Sequence, residues 1–209
     1  LAMVEPATVA QHAVRRGRVT AGDTVLIFGA GPIGIMAARW AEIFGAQHVI
    51  MVDIDPVKKK FAEERGLCIV NSMEEDIGDF MEKITGKRTA DVVIEGTGTS
   101  TAWNQAIQYV RTFGSVALLG NPNKNTEIQL ENHSQILRKE IEIYGVWNSY
   151  YASTPLNEWK YTVQMLDEGK MKVGDLVTHT AGIEEIEQLF RDIYNHKITI
   201  CKAMYSAGD

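Results

Sequence analysis

Short apolar runs alternate with stretches of helical periodicity along most of this chain. Residues 24–28, 48–53, 68–70, 91–95, 113–119 and 141–145 read as strands. Between them, helical spacing of apolar positions predicts helices over 32–44, 56–65, 74–84, 99–110, near 131–138 and over 155–168. In the first of these, Ile33, Met36, Ala37, Trp40 and Phe44 lie on one face. Ahead of the first strand, Val9, Ala13 and Val14 predict a helix over 5–16, ended by Gly17 and by Gly22-Asp23. After the sixth strand a helix over 183–195 and an apolar Cys201-Lys-Ala-Met-Tyr205 remain. Strands that alternate with helices imply right-handed crossovers and a parallel sheet covered on both faces.

The first strand, Thr24-Val-Leu-Ile-Phe, runs directly into Gly29-Ala-Gly31-Pro-Ile-Gly34. In that context each glycine has a separate reason. Gly29 permits the tight strand-to-helix turn, Gly31 lets backbone approach a pyrophosphate, and Gly34 allows the helix to pack closely on the strand. Pro32 suits the first helical turn, where a missing N–H costs nothing and the free amides behind it face an anion. The next apolar run, Gln47-His-Val-Ile-Met-Val, ends in Asp53, where a carboxylate can accept both ribose hydroxyls of an adenosine. The pattern predicts an α/β, doubly wound, six-stranded parallel sheet of Rossmann type. Its two mononucleotide-binding halves open at the turns 29–34 and 96–98, with a dinucleotide over the crevice between them. Two plainer readings stand beside this one. The turn could belong to another doubly wound protein with Asp53 as a helix cap, and S-adenosylmethionine enzymes use a similar first turn and ribose acid.

Composition narrows the class further. The 209 residues are 45% hydrophobic and 23% charged, ordinary globular material for one large domain or one with a small appendage. A formal charge of −6 argues against a nucleic-acid partner, and Lys58-Lys59-Lys60 reads by itself as a solvated helical turn. Cys68 and Cys201 form no CxxC pair, and the five histidines show no HExxH spacing. No apolar run reaches the roughly 18 residues of a membrane span, and no leader pattern is present, so a cytoplasmic protein without a membrane partner is expected. The chain opens as Leu1-Ala-Met-Val-Glu5-Pro, without an initiator Met and in mid-pattern, which is expected of a fragment.

Several segments together carry a family signature. Val4-Glu-Pro6, Val25–Gly34, Val52-Asp-Ile-Asp-Pro56, Val93-Ile-Glu-Gly-Thr-Gly98, Leu118-Leu-Gly-Asn121 and Val177-Thr-His179 resemble the C-terminal half of zinc-dependent medium-chain dehydrogenases, especially polyol dehydrogenases of the sorbitol dehydrogenase type. Ile136-Leu-Arg-Lys-Glu140, Gly145-Val-Trp-Asn-Ser-Tyr150 and Glu158-Trp159 are most similar to the galactitol-1-phosphate 5-dehydrogenase branch. The resemblance implies a linker helix over 1–17, an NAD-binding domain over 18–180, and a helix and return strand over 181–209 directed toward a catalytic domain. Gly29, Gly31, Pro32, Ile33 and Gly34 would then form the pyrophosphate turn, and Asp53, Ile54 and Lys58 the adenosine-ribose site. Thr97, Leu119, Gly120, Asn121, Val146, Trp147 and Asn148 would flank the nicotinamide and its ribose. At 148 sorbitol dehydrogenases carry an Arg, so a charged diphosphate contact there is missing.

The same resemblance makes Glu5 the acidic residue that approaches the catalytic zinc, with the other ligands expected upstream of Leu1. From the residues alone, Glu5 reads as a helix N-terminal charge, His12 and His179 as hydrogen-bonded structural histidines, and Trp147 and Tyr150 as packing residues. The implied reaction is hydride transfer from a secondary alcohol to NAD, with a polyol or sugar-alcohol phosphate as substrate. Zinc is implied in the intact parent, a homodimer or homotetramer as the assembly, and no activity for this chain alone. A zinc-free NADPH-dependent reductase and a non-catalytic NAD-binding module remain as alternatives.

Overall fold

The computed structural model describes residues 1–153 and 155–207; residues 208 and 209 of the expected C-terminal segment lie outside the described residues. Six strands form one sheet: β1 (Thr24–Phe28), β2 (His48–Asp53), β3 (Cys68–Asn71), β4 (Ala90–Glu95), β5 (Val110–Leu118) and β6 (Glu142–Gly145). Their order is β3-β2-β1-β4-β5-β6, and every neighbouring pair is parallel. β1 is buried throughout, because it lies at the centre with helices on both faces. The order reverses between β1 and β4, so the two Gly-rich turns leave the sheet side by side.

Seven helices accompany the sheet: α1 (Val4–Arg16), α2 (Pro32–Ile43), α3 (Pro56–Glu63), α4 (Ile77–Thr85), α5 (Ser100–Tyr109), α6 (Leu130–Lys139) and α7 (Glu158–Asp167). On one side of the sheet Leu26, Phe28, Ile50, Val52 and Val93 pack with Ile77 and Met81 of α4 and with Ala102, Ala106 and Ile107 of α5. Elsewhere the fully buried Trp40 of α2 donates its indole N–H to Ala7 O of α1 at 2.8 Å. Its ring lies 5.8 Å from those of Phe44 and of Tyr161 on α7. These contacts bind α1, α2 and α7 together.

Several helix starts lie later than periodicity predicts, and side-chain caps set them. The helix expected from 74 begins at Ile77, because Asp76 accepts the amide of Asp79. That expected from 155 begins at Glu158, where Asn157 accepts the amide of Lys160. Strand β5 begins at Val110 rather than at 113, with a register shift opposite Ala90–Val92 and a left-handed Phe113 at φ 58°. Lys139 stitches the start of this strand: its ammonium donates to the carbonyls of Ile107, Gln108 and Val110 at 2.8–3.0 Å.

The chain divides into two compact units, Leu1–Met171 and Lys172–Asp209. Helix α1, expected as a separate linker, is part of the first unit. The division also falls before the expected boundary after 180, because an unexpected strand, β7 (Val177–Ala181), pairs in parallel with β8 (Lys202–Tyr205). Between them runs α8 (Ile186–Tyr194), shorter than the expected 183–195. Among the described residues no helix is long and apolar enough to cross a membrane.

Candidate nucleotide site

The turn after β1 is built on a close approach. A Cβ placed on Gly34 would stand 1.9 Å from the carbonyl oxygen of Gly29, so only glycine lets α2 sit this near the strand end. Gly31 differs. It caps α2 in extended backbone, and a Cβ there would meet no protein atom within 4 Å. Its small size therefore serves nothing inside the chain, and the surface beside it is free to receive another molecule. Pro32 follows at the first helical position, so the amides of Ile33 and Gly34 lie at the helix N-terminus.

Asp53 sits at the end of β2, 8% exposed. Its Oδ2 accepts the amide of Ala30 at 2.7 Å, and its Oδ1 accepts those of Ile54 at 2.8 Å and Asp55 at 3.0 Å. Lys58 Nζ lies 3.7 Å from Oδ2. Three amides thus fix the carboxylate beside the Gly29–Gly31 turn, and a carboxylate oxygen can accept further donors. Ile54 is exposed and contributes through its backbone: besides the amide given to Asp53, its carbonyl accepts Asn71 Nδ2 at 3.2 Å.

Across the switch point a cavity of about 500 Å³ opens at the C-terminal ends of β4, β5 and β6. Of the residues singled out in the sequence, Leu119, Gly120, Asn121, Val146 and Trp147 line it. Thr97 does not: its amide and hydroxyl are donated to Glu95 Oε1 at 2.7 and 2.6 Å. Asn148, with φ 55°, also lies outside the lining and turns the chain directly after Trp147.

Glu95, Trp103, Pro122 and Thr126 are among the other residues of its walls, and the sequence does not mark them as site residues. Glu95 is 2% exposed and gathers the amides of Thr97 and Gly98, which holds the second Gly-rich turn closed. The signal for it was in the sequence: an acid at the buried end of a strand, directly before Gly-Thr-Gly, needs donors, and the turn amides are the nearest.

His12 is hydrogen-bonded, as read, and its partner is distant in sequence. Its Nδ1 lies 2.9 Å from Glu158 Oε1, which also accepts Arg15 Nη1 at 2.9 Å, while Oε2 accepts the amide of Tyr150 at 2.8 Å. Burial pushes the Glu158 carboxyl up, but the bonds from His12 and Tyr150 and the charges of His12 and Arg15 outweigh it and hold the group below the usual range. Glu5 is exposed at the start of α1. Among the described residues no three His, Cys, Asp or Glu side chains converge in a way that could hold a metal ion.

Residues 32–168 match the family model described as zinc-binding dehydrogenase. The chain is 33% identical to sorbitol dehydrogenase of Bacillus subtilis over 204 residues, 97% of this chain and 56% of that protein. Two solved structures share the fold closely. One is 2R,3R-butanediol dehydrogenase from Bacillus subtilis, with a TM-score of 0.84 at 28% identity over 99% of this chain and 57% of that one. The other is galactitol-1-phosphate dehydrogenase from Escherichia coli, with a TM-score of 0.85 at 28% identity over 95% and 58%. The chain therefore spans little more than half the length of the proteins it matches.

Proposed function

Because the chain belongs to the zinc-binding dehydrogenase family, we propose that it is the NAD-binding portion of a polyol dehydrogenase acting on a secondary alcohol, a sugar-alcohol phosphate of the galactitol 1-phosphate type. The observation that carries the cofactor reading is Asp53, a buried carboxylate fixed by three amides beside the Gly31 surface. That arrangement fits a dinucleotide. Gly31 leaves backbone accessible to a pyrophosphate at the α2 N-terminus, and Asp53 with Lys58 meets the two hydroxyls of an adenosine ribose. NAD, when bound, supplies the hydride acceptor.

The chain's own residues supply orientation. The cavity walls at Leu119–Asn121 and Val146–Trp147 would hold the nicotinamide end of the bound cofactor, so that hydride transfer would take place between positioned partners. Asp53 selects against NADPH, because a 2′-phosphate would meet its negative charge at short range. Zinc does not fit this chain's residues by themselves: no converging set of three donors is present among the described residues. Glu5 is proposed as the one contact this chain contributes to a metal held by residues outside the sequence. A homodimer or homotetramer formed through an edge of the sheet, whose terminal strands are β3 and β6, is part of the same proposal. The substrate class is supported by the Gly145–Tyr150 and Glu158-Trp159 segments and by the likeness to galactitol-1-phosphate dehydrogenase. The cofactor reading is tested by the relative affinities of NADH and NADPH for the wild-type chain and for Asp53→Ser, which is expected to lose the discrimination.

A further inference from the structure

The segment that carries Val146 and Trp147 leaves the sheet at the end of β6 and is held at two places. At its start the amide of Val146 is donated to Leu118 O at 3.0 Å, in continuation of the β5–β6 pairing. Further along, the amide of Tyr150 is donated to Glu158 Oε2 at 2.8 Å. Between these points Trp147 lines the cavity while remaining 82% exposed, and Asn148 turns the chain with a positive φ. Glu158 itself is 2% exposed, and its other oxygen is held by His12 and Arg15 of α1. A buried carboxylate held by an arginine, a histidine ring nitrogen and a backbone amide is costly unless every bond is made, so its position is tightly specified.

We propose that Glu158 is a positioning residue for the cofactor: clamped by His12 and Arg15, it sets the Val146–Tyr150 segment so that Trp147 covers the nicotinamide end of the cavity. This rests on the cofactor reading above. Both carboxylate oxygens of Glu158 face donors. The neutral isostere cannot replace it, because a Gln amide group turned either way brings N–H against N–H. In Glu158→Gln the segment loses either its fastening at Tyr150 or the α1 clamp, while Asp53 and the Gly29–Gly34 turn, which Glu158 does not touch, are unchanged.

The test compares NADH with ADP-ribose, which keeps the adenosine and diphosphate but lacks the nicotinamide, by calorimetric titration of wild type and Glu158→Gln. Energy transfer from tryptophan to bound NADH is read in parallel. The expected result is a loss of about tenfold in NADH affinity, the scale of one hydrogen bond to a charged group, with ADP-ribose affinity unchanged and weaker energy transfer. Equal losses for both ligands would show a general structural role and overturn the proposal, as would wild-type affinity for both. If Glu158→Gln does not fold, Arg15→Gln keeps the Tyr150 bond and removes one clamp; the same selective loss, smaller in size, is expected, and its absence overturns the proposal. A wild-type chain that binds neither ligand instead overturns the cofactor reading itself, and this proposal with it.

Discussion

Two alanine substitutions three residues apart are expected to fail in opposite ways. In Gly34→Ala the new methyl would stand 1.9 Å from Gly29 O and 3.1 Å from Gly29 C, with Met51 Cε at 3.5 Å on another side. A carbon and an oxygen in contact need roughly 3.2 Å, so α2 must retreat from the strand end by about 1 Å or more. Overpacking of this kind costs roughly 3–5 kcal/mol, against which the better helix propensity of Ala returns about 1 kcal/mol. The net expectation is a loss of about 2–4 kcal/mol, read as a drop of about 1–2 M in the urea midpoint at the slope usual for this size. Gly31→Ala meets nothing within 4 Å, and its extended backbone suits any residue, so it loses about 1 kcal/mol or less as a poorer cap. Its NADH affinity, by contrast, is expected to fall at least about tenfold, because the methyl stands where the diphosphate must approach the α2 amides. Urea unfolding followed by circular dichroism, with NADH titration of each folded variant, separates the two. A Gly34→Ala protein as stable as Gly31→Ala would refute the packing argument, and a Gly31→Ala protein with wild-type NADH affinity would refute the cradle.

Lys139→Met removes the ammonium that joins three carbonyls between α5 and β5 and is expected to lower stability by about 1–3 kcal/mol in chemical denaturation; an unchanged midpoint would show those carbonyls to be satisfied by water. Asp91 accepts the amide of Thr24 and the guanidinium of Arg111, and although burial raises its carboxyl, those bonds and charges win and hold it below the usual range. A depressed folded-state value means stability that is present above the unfolded value near about 4 and is lost as pH falls through the lower folded one. Asp91→Asn is therefore expected to cost about 1–2 kcal/mol at neutral pH and progressively less in acid, and a cost that does not change with pH would contradict this reading of the Asp91 contacts.

Local features of this molecule are legible in its sequence, and distant ones are not. The first turn was readable because strand, glycines, proline and acid follow one another, and each is dictated by its immediate neighbours. The parallel, doubly wound sheet follows from the alternation of strands and helices and the handedness of their crossovers. Helix starts were misplaced by three residues at Ile77 and Glu158, since periodicity cannot see that Asp76 and Asn157 break the helix by capping it. Strand β7 was not anticipated because Thr178, His179 and Thr180 are polar, and what makes it a strand is its pairing with β8. The clamp on Glu158 was out of reach: His12 reads as hydrogen-bonded, but nothing local names a partner 146 residues away. Likewise the chain just beyond the cavity-wall residue Thr126 is held by Asn104 of α5. It accepts the amide of Gln129 and donates to Glu127 O, so the segment after Thr126 is tied down by contacts between elements.

The most direct test of the account is calorimetric titration of NADH and NADPH into the wild-type chain and into Asp53→Ser. One NADH per chain is predicted, with NADPH at least about tenfold weaker for the wild type and the two nearly equal for the variant. Absence of NADH binding, or equal or tighter binding of NADPH by the wild-type chain, would contradict it.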